Sequence, residues 1–222
     1  MQPPIARVRI PPLQLEADLQ AAPLPRGLVI FAHGSGSSRR SPRNQAVAQA
    51  LVASGLASLL MDLLTQGEEA ERANVFDMPL LGERLVQAID WASNQPALAH
   101  LPIGLFGAST GAGAALRAAA ERPARVRAVV SRGGRPDLAG AALPDVQAPT
   151  LLVVGGRDEA VIALNRHAAQ QMSAHVELAI VPGATHLFEE PGALQAVTDL
   201  AIAWFHDHLG PGVMQKQLSR ED

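Results

Sequence analysis

Hydrophobic and polar positions along this chain fall into two repeating patterns. Residues 5–10 and 13–19 alternate apolar and polar side chains on either side of Pro11-Pro12. That period of two belongs to strands with one wet face, and it predicts two short edge strands. After the breaker Pro23-Leu24-Pro25-Arg26-Gly27 the alternation stops. Leu28-Val29-Ile30-Phe31-Ala32 is apolar throughout, as a strand covered on both faces must be. Residues 56–61, 101–106, 126–131, 150–154 and 176–181 read as further strands. Between them the period changes to that of a helix. Ser41-Pro42 supplies a cap and a first-turn proline for a helix that runs to Ser54, with Gly55 as its stop. Leu81, Leu85, Ala88, Ile89 and Ala92 mark one face of a second helix after Asp77. An alanine-rich helix spans 112–121. Val161, Leu164, Ala168 and Met172 mark a fourth, and Leu194, Val197, Ala201, Trp204 and His208 a last one. The polar stretch with Glu68, Glu69, Glu71 and Arg72 reads as a loop.

Strands alternating with helices over the whole length predict an α/β fold, with a mostly parallel central sheet and helices on both faces. No repeat or linker divides the chain, so residues 1–209 are expected to form a single domain, followed by a polar tail over 210–222 that frays. In such sheets ligands bind beyond the carboxyl ends of the strands. The loops that open at His33, Asp62, Gly107, Ser131, Gly155 and Pro182 are therefore expected along one edge.

Composition narrows the chemistry. The 222 residues are 48% hydrophobic and 18% charged, enough apolar material for one substantial core. A net charge of −3 with a single lysine, Lys216, leaves no basic surface for nucleic acid. With no cysteine there are no disulfides, thiolate metal sites or cysteine nucleophile. Neither a leader-like N-terminus nor an unbroken apolar run of membrane-spanning length occurs, so a soluble, cytoplasmic protein without a membrane partner is expected. No spacing of His, Asp and Glu suggests zinc.

One stretch stands out against this background. Gly107-Ala108-Ser109-Thr110-Gly111 joins a predicted buried strand to a predicted helix. A serine hydroxyl is a poor nucleophile unless it is held in the open and given a base, and an abrupt strand-to-helix turn does the holding. Glycines two residues before and after leave room for close backbone approach. The Thr110 N–H, at the helix start, points where an oxyanion would form. The remaining requirements are an imidazole and a carboxylate that orients it. His186 follows the last predicted strand and Asp158 the one before it, both on the expected edge. Asp137 and Glu159 are weaker candidates for the acid, because neither joins a strand-end position to a short carboxylate. His33 is expected to hydrogen-bond to neighbouring backbone, and His206 and His208 to sit favourably against a helix dipole.

The order Ser109, Asp158, His186 and the G-x-S-x-G turn resemble the serine α/β-hydrolases, close to the dienelactone hydrolase-like branch, over roughly residues 26–209. The resemblance implies that His33-Gly34-Ser35-Gly36 is the oxyanion loop, with the Ser35 N–H completing the hole begun by Thr110 and Gly36 next in line. Dienelactone hydrolases proper carry cysteine at the nucleophile, whereas this chain carries Ser109, which favours a general carboxylesterase acting on small esters or lactones. Only residues 132–149 stand where many relatives insert a cap, so a shallow or open pocket is expected. The same three side chains would serve a thioesterase, an acyl-peptide hydrolase or a perhydrolase, and a non-catalytic binding scaffold is the alternative of another class. None of the catalytic readings needs a metal or organic cofactor. Arg39, Arg40, Arg132 and Arg135 fall in two loops on the expected edge. Arginine forks bind carboxylates, so Arg40 and Arg132, with Gly36, are candidate substrate contacts for anionic esters, and a solvated rim is the plainer reading.

Overall fold

The strands predicted from the apolar runs assemble, in a computed structural model that describes residues 3–210, into one sheet. They are β1 (Ala6–Ile10), β2 (Leu15–Ala21), β3 (Leu28–Ala32), β4 (Ala57–Met61), β5 (Ile103–Ala108), β6 (Val126–Arg132), β7 (Thr150–Gly155) and β8 (Val176–Val181). Their order is β1-β2-β4-β3-β5-β6-β7-β8. The pairs β1/β2 and β2/β4 are antiparallel and all the others parallel. The tail expected over 210–222 lies, beyond Gly210, outside the described residues.

The helices are α1 (Pro42–Ala53), α2 (Gln66–Glu69), α3 (Arg72–Val75), α4 (Met78–Ser93), α5 (Gly111–Glu121), α6 (Glu159–Ala169) and α7 (Ala193–Leu209), with a 3-10 segment over Pro136–Asp145. Caps written in the sequence start two of the longer ones. The Ser41 side chain accepts the Asn44 N–H ahead of α1, and Asp77 accepts the Leu80 N–H ahead of α4. The sheet is buried from both sides. On one face α1 and α7 press Val47, Leu51, Val197 and Phe205 against Val29, Phe31, Phe106 and Val130. On the other, α4 and α5 press Leu85, Ile89 and Leu116 against Ile30, Leu59, Leu105 and Val129. Adjacent residues of β3 and β5 thus serve opposite cores, which is why those strands carry no polar side chain.

Two sequence expectations change. Only β1 is an edge strand at that side, because β2 pairs on both sides. Its alternating pattern therefore does not record a missing neighbour. The loop expected between Asp62 and Asp77 contains α2 and α3, each one turn long and without a buried residue. α2 carries a capping box, in which Thr65 and Glu68 exchange hydrogen bonds.

The strand order carries the functional consequence. From β3 the chain crosses to β4 on one side and then to β5 on the other, so the loops after β3 and β5 diverge and leave a crevice between them. Arg39 pins the far end of the β3 loop. Its guanidinium is buried and pairs with Glu16 on β2 and with Asp62 after β4, and Asp18 lies 3.6 Å away. Those carboxylates hold its pKa above the usual arginine value against the opposing effect of burial. Arg39→Met keeps the apolar stem and removes the fork, leaving the carboxylates uncompensated. It should lower unfolding free energy by about 2 kcal/mol at pH 7. Urea denaturation of wild type and variant at pH 7 reads the loss.

Candidate active site

Ser109 sits where β5 turns into α5, at φ 51°, a left-handed conformation that a side-chain-bearing residue adopts only under constraint. The constraint is visible around it. Its N–H donates to the Arg132 carbonyl at 3.2 Å, and its own carbonyl accepts from Ala112 and Arg135 at 3.1 and 3.0 Å. The turn is too tight for side chains on either flank. A Cβ on Gly107 would lie 2.5 Å from Ala112 Cα, and one on Gly111 would strike the Ala32 carbonyl oxygen of β3.

The loops after β7 and β8 bring the other two groups to this point. Gly156 N–H donates to the Val181 carbonyl at 2.8 Å, and Arg157 N–H to the Ala184 carbonyl at 2.9 Å, so the two loops are laced together. Within the second loop Phe188 is buried and at φ 56°. His186 Nδ1 lies 2.7 Å from Asp158 Oδ2, and its Nε2 lies 3.3 Å from Ser109 Oγ. A carboxylate can only accept, so Nδ1 carries the proton and Nε2 is left to accept from the serine hydroxyl. The Asp158 side chain is largely shielded from solvent, at 17% exposure, and that of His186 is open at 39%. The weaker acid candidates lie elsewhere: Asp137 is held by a two-pronged pair with Arg135, and Glu159 is exposed in the first turn of α6.

Thr110 and Ser35 also meet, in an unexpected way. The Thr110 N–H opens α5, where no helical carbonyl can reach it. The Ser35 N–H, however, donates to the Thr110 hydroxyl oxygen at 2.8 Å. Sequence reasoning had no means of finding this contact between residues 75 apart.

Beside these two residues opens a cavity of about 510 Å3. Residues 33–38 and 40–42 form one wall, Leu63, Leu64, Val75 and Leu81 form an apolar side, and Glu69 and Thr110 complete it. A pocket expected to be shallow is therefore given a side wall by α3 and α4, not by an insertion after β6. Gly36 and Arg40 line it. Arg132 does not: its guanidinium is buried, its Nη2 donates to Asn44 Oδ1 at 3.3 Å, and burial, with Arg43 adding repulsion, pushes its pKa down to about 10. Arg39 and Arg135 are occupied by carboxylates. The arginine rim read from sequence thus reduces to Arg40, because the side chains at the other three positions point into the protein or to a partner.

His33 is a clamp. Its Nδ1 lies 3.0 Å from the Gly34 carbonyl oxygen, and its Nε2 accepts the Leu63 N–H at 3.1 Å, joining the loops after β3 and β4 beneath the cavity. Among the described residues no group of three or more His, Cys, Asp or Glu is placed to hold a metal ion, and no helix is long and apolar enough to cross a membrane. His208 Nδ1 lies 2.8 Å from the Trp204 carbonyl, as suits a histidine at a helix end, and His206 reaches Ser54 Oγ.

A family model described as an alpha/beta hydrolase domain matches residues 25–205. The chain belongs to the α/β-hydrolase family. Within that family it falls in the dienelactone hydrolase-like branch: the crystal structure of a dienelactone hydrolase from Anabaena variabilis is 55% identical, with a TM-score of 0.90 over 94% of this chain and 99% of that one. Est1E from Butyrivibrio proteoclasticus, at 17% identity and a TM-score of 0.74 over 90% of this chain and 98% of its own, shares the fold. Two Mycobacterium tuberculosis proteins, named as proposed phosphoribosyl transferases, are 58% identical over 202 residues. That match takes in 90% of this α/β-hydrolase chain and 46% of theirs, so the chain spans about half the length of those curated relatives.

Burial holds the His33 imidazole of this hydrolase-family chain below its ordinary pKa, against the opposing pull of the Gly34 carbonyl, Asp62 and Glu69. The unfolded chain therefore takes up a proton on this histidine at a pH where the folded one does not. Stability from this group is complete above about pH 6.5 and is lost as pH falls toward the depressed folded value. Urea unfolding at pH 7.5 and pH 5.5 should show that loss in the wild type, and His33→Gln should reduce the difference between the two pH values.

Proposed function

We propose that this protein is a serine hydrolase that cleaves small carboxylic esters through an acyl-enzyme. The observation that carries the reading is the single imidazole that contacts both a shielded carboxylate and a serine hydroxyl held in strained, left-handed backbone. Each part then has a chemical task. Asp158 fixes the tautomer of His186 and stabilises the imidazolium that forms. As Ser109 Oγ bonds to the ester carbonyl carbon, its proton passes to His186 Nε2 and the carbonyl electron pair moves onto oxygen. The Thr110 N–H, preset at the start of α5, faces that developing charge. Collapse of the tetrahedral intermediate breaks the bond to the alkoxy oxygen, which leaves with the proton from Nε2. A water molecule then gives its proton to Nε2 and attacks the acyl carbon, and the second collapse returns that proton to Ser109.

The cavity beside Ser35 and Thr110 is the natural place for the larger portion of the ester, with its apolar side formed by Leu63, Leu64, Val75 and Leu81. The likeness to a dienelactone hydrolase supports an ester or lactone bond as the target. The transferase name of the Mycobacterium tuberculosis proteins belongs to chains of which this one matches less than half.

Short-chain nitrophenyl esters and a fluorophosphonate probe test the reading together. Wild type should turn over the esters and take up the probe at Ser109, as located by peptide mass mapping. Ser109→Ala should lose both, with a fall in kcat of at least about 10^4-fold, and Asp158→Asn should lose most of its kcat while still binding substrate. A wild type that neither turns over any ester nor labels at Ser109 would rule the mechanism out.

A further inference from the structure

Thr110 stands at the start of α5, yet its hydroxyl makes no capping bond to the helix, the ordinary use of a threonine at that position. Instead its oxygen accepts the Ser35 N–H at 2.8 Å. The residue is buried, at 6% exposure, and it contributes to the wall of the cavity that the loop after β3 lines. Two facts follow from the valences of a hydroxyl, which has one proton to donate and two lone pairs that accept. The Ser35 N–H is already spent on a lone pair. The hydroxyl proton is unspent, because Ser35 is the one hydrogen-bond partner that Thr110 Oγ1 has among the described residues.

We infer that Thr110 supplies two donors to the oxyanion, its backbone N–H and its side-chain O–H, and that the Ser35 N–H acts behind it as the group that aims the hydroxyl. The inference rests on the hydrolase reading above and deepens it. An N–H bonded to Oγ1 occupies one lone pair, confines the hydroxyl rotor and polarises the O–H, so the proton is directed away from the Ser35 N–H and is left for an acceptor in the cavity that Thr110 helps to line. A donor held this way needs no reorganisation when negative charge forms on the substrate, which is the condition under which such donors lower a barrier most. The role expected for Ser35 from family resemblance, direct donation to the oxyanion, would instead require the 2.8 Å bond to break in each catalytic cycle.

Thr110→Val removes the hydroxyl at nearly constant volume, and Thr110→Ser restores it. On a nitrophenyl ester that the wild type hydrolyses, the valine variant should lose about 100-fold in kcat with KM changed less than about three-fold, while the serine variant stays within about five-fold of wild type. A trifluoromethyl ketone, which forms a tetrahedral adduct bearing the same oxyanion, should bind the valine variant more weakly by about the same factor as the loss in kcat/KM. Thr110→Ala is read in the same way if the valine variant does not fold. A hydroxyl-free variant with kcat within about three-fold of wild type, or faster, overturns the proposal, because the Ser35 N–H would then be the donor and Thr110 only its resting-state cover. A serine variant as impaired as the valine variant overturns it too. If wild type shows neither turnover nor labelling at Ser109, the hydrolase reading falls and this role with it, whereas an active wild type with an unimpaired valine variant removes the hydroxyl role alone.

Discussion

Everything at the candidate site depends on how closely the start of α5 approaches β3. The Ser109 turn packs one backbone onto another, with Gly107 against Ala112 and Gly111 against the Ala32 carbonyl. A methyl group at either place would push the helix away from the sheet. The hydroxyl of Ser109 would then leave the reach of His186, and the Thr110 oxygen would leave the reach of Ser35. A local absence of side chains therefore sets distances between residues that are 75 and 77 positions apart.

The surrounding structure holds that contact in place from several directions. β3 and β5 lie side by side at the middle of the sheet, in parallel register with Phe31 opposite Phe106, and their rings meet at 4.9 Å between centroids. The loop after β3 is clamped near its root by His33 and at its far end by Arg39. The loops after β7 and β8 are bonded to each other before either reaches the serine. Burial of apolar strands fixes the frame, and a few buried polar groups then fix the loops, since each would leave an unsatisfied donor or charge behind if it moved. The same division explains the cavity, whose apolar side comes from α3, α4 and the loop after β4, and whose polar side comes from the loop after β3.

The periodicity of the chain, read by itself, determined the fold class, the run of strands and helices and the edge on which the loops would gather, because burial on two faces and burial on one leave different patterns of apolar residues. It also brought Ser109, Asp158 and His186 forward as a group, since a parallel sheet puts every strand end on one side whatever the strand order. Short-range chemistry marked the α1 cap through Ser41. The one-turn helices α2 and α3 escaped, because four residues are too few for a hydrophobic period to register.

Only the tertiary structure decided what each polar group near the serine is bonded to. Arg39 and Arg135 look in sequence like rim residues, and Arg132 like a substrate contact, yet the first two are taken by carboxylates and the third is buried against Asn44. The Ser35 N–H looks like a free donor, yet it is bonded to Thr110. The physical reason is the same in all four cases. A pattern along the chain reports whether a side chain faces water or the core, which is a property of one position. A hydrogen bond joins two positions brought together by the packing of strands and helices far apart in sequence, and its partner is written nowhere in the local pattern.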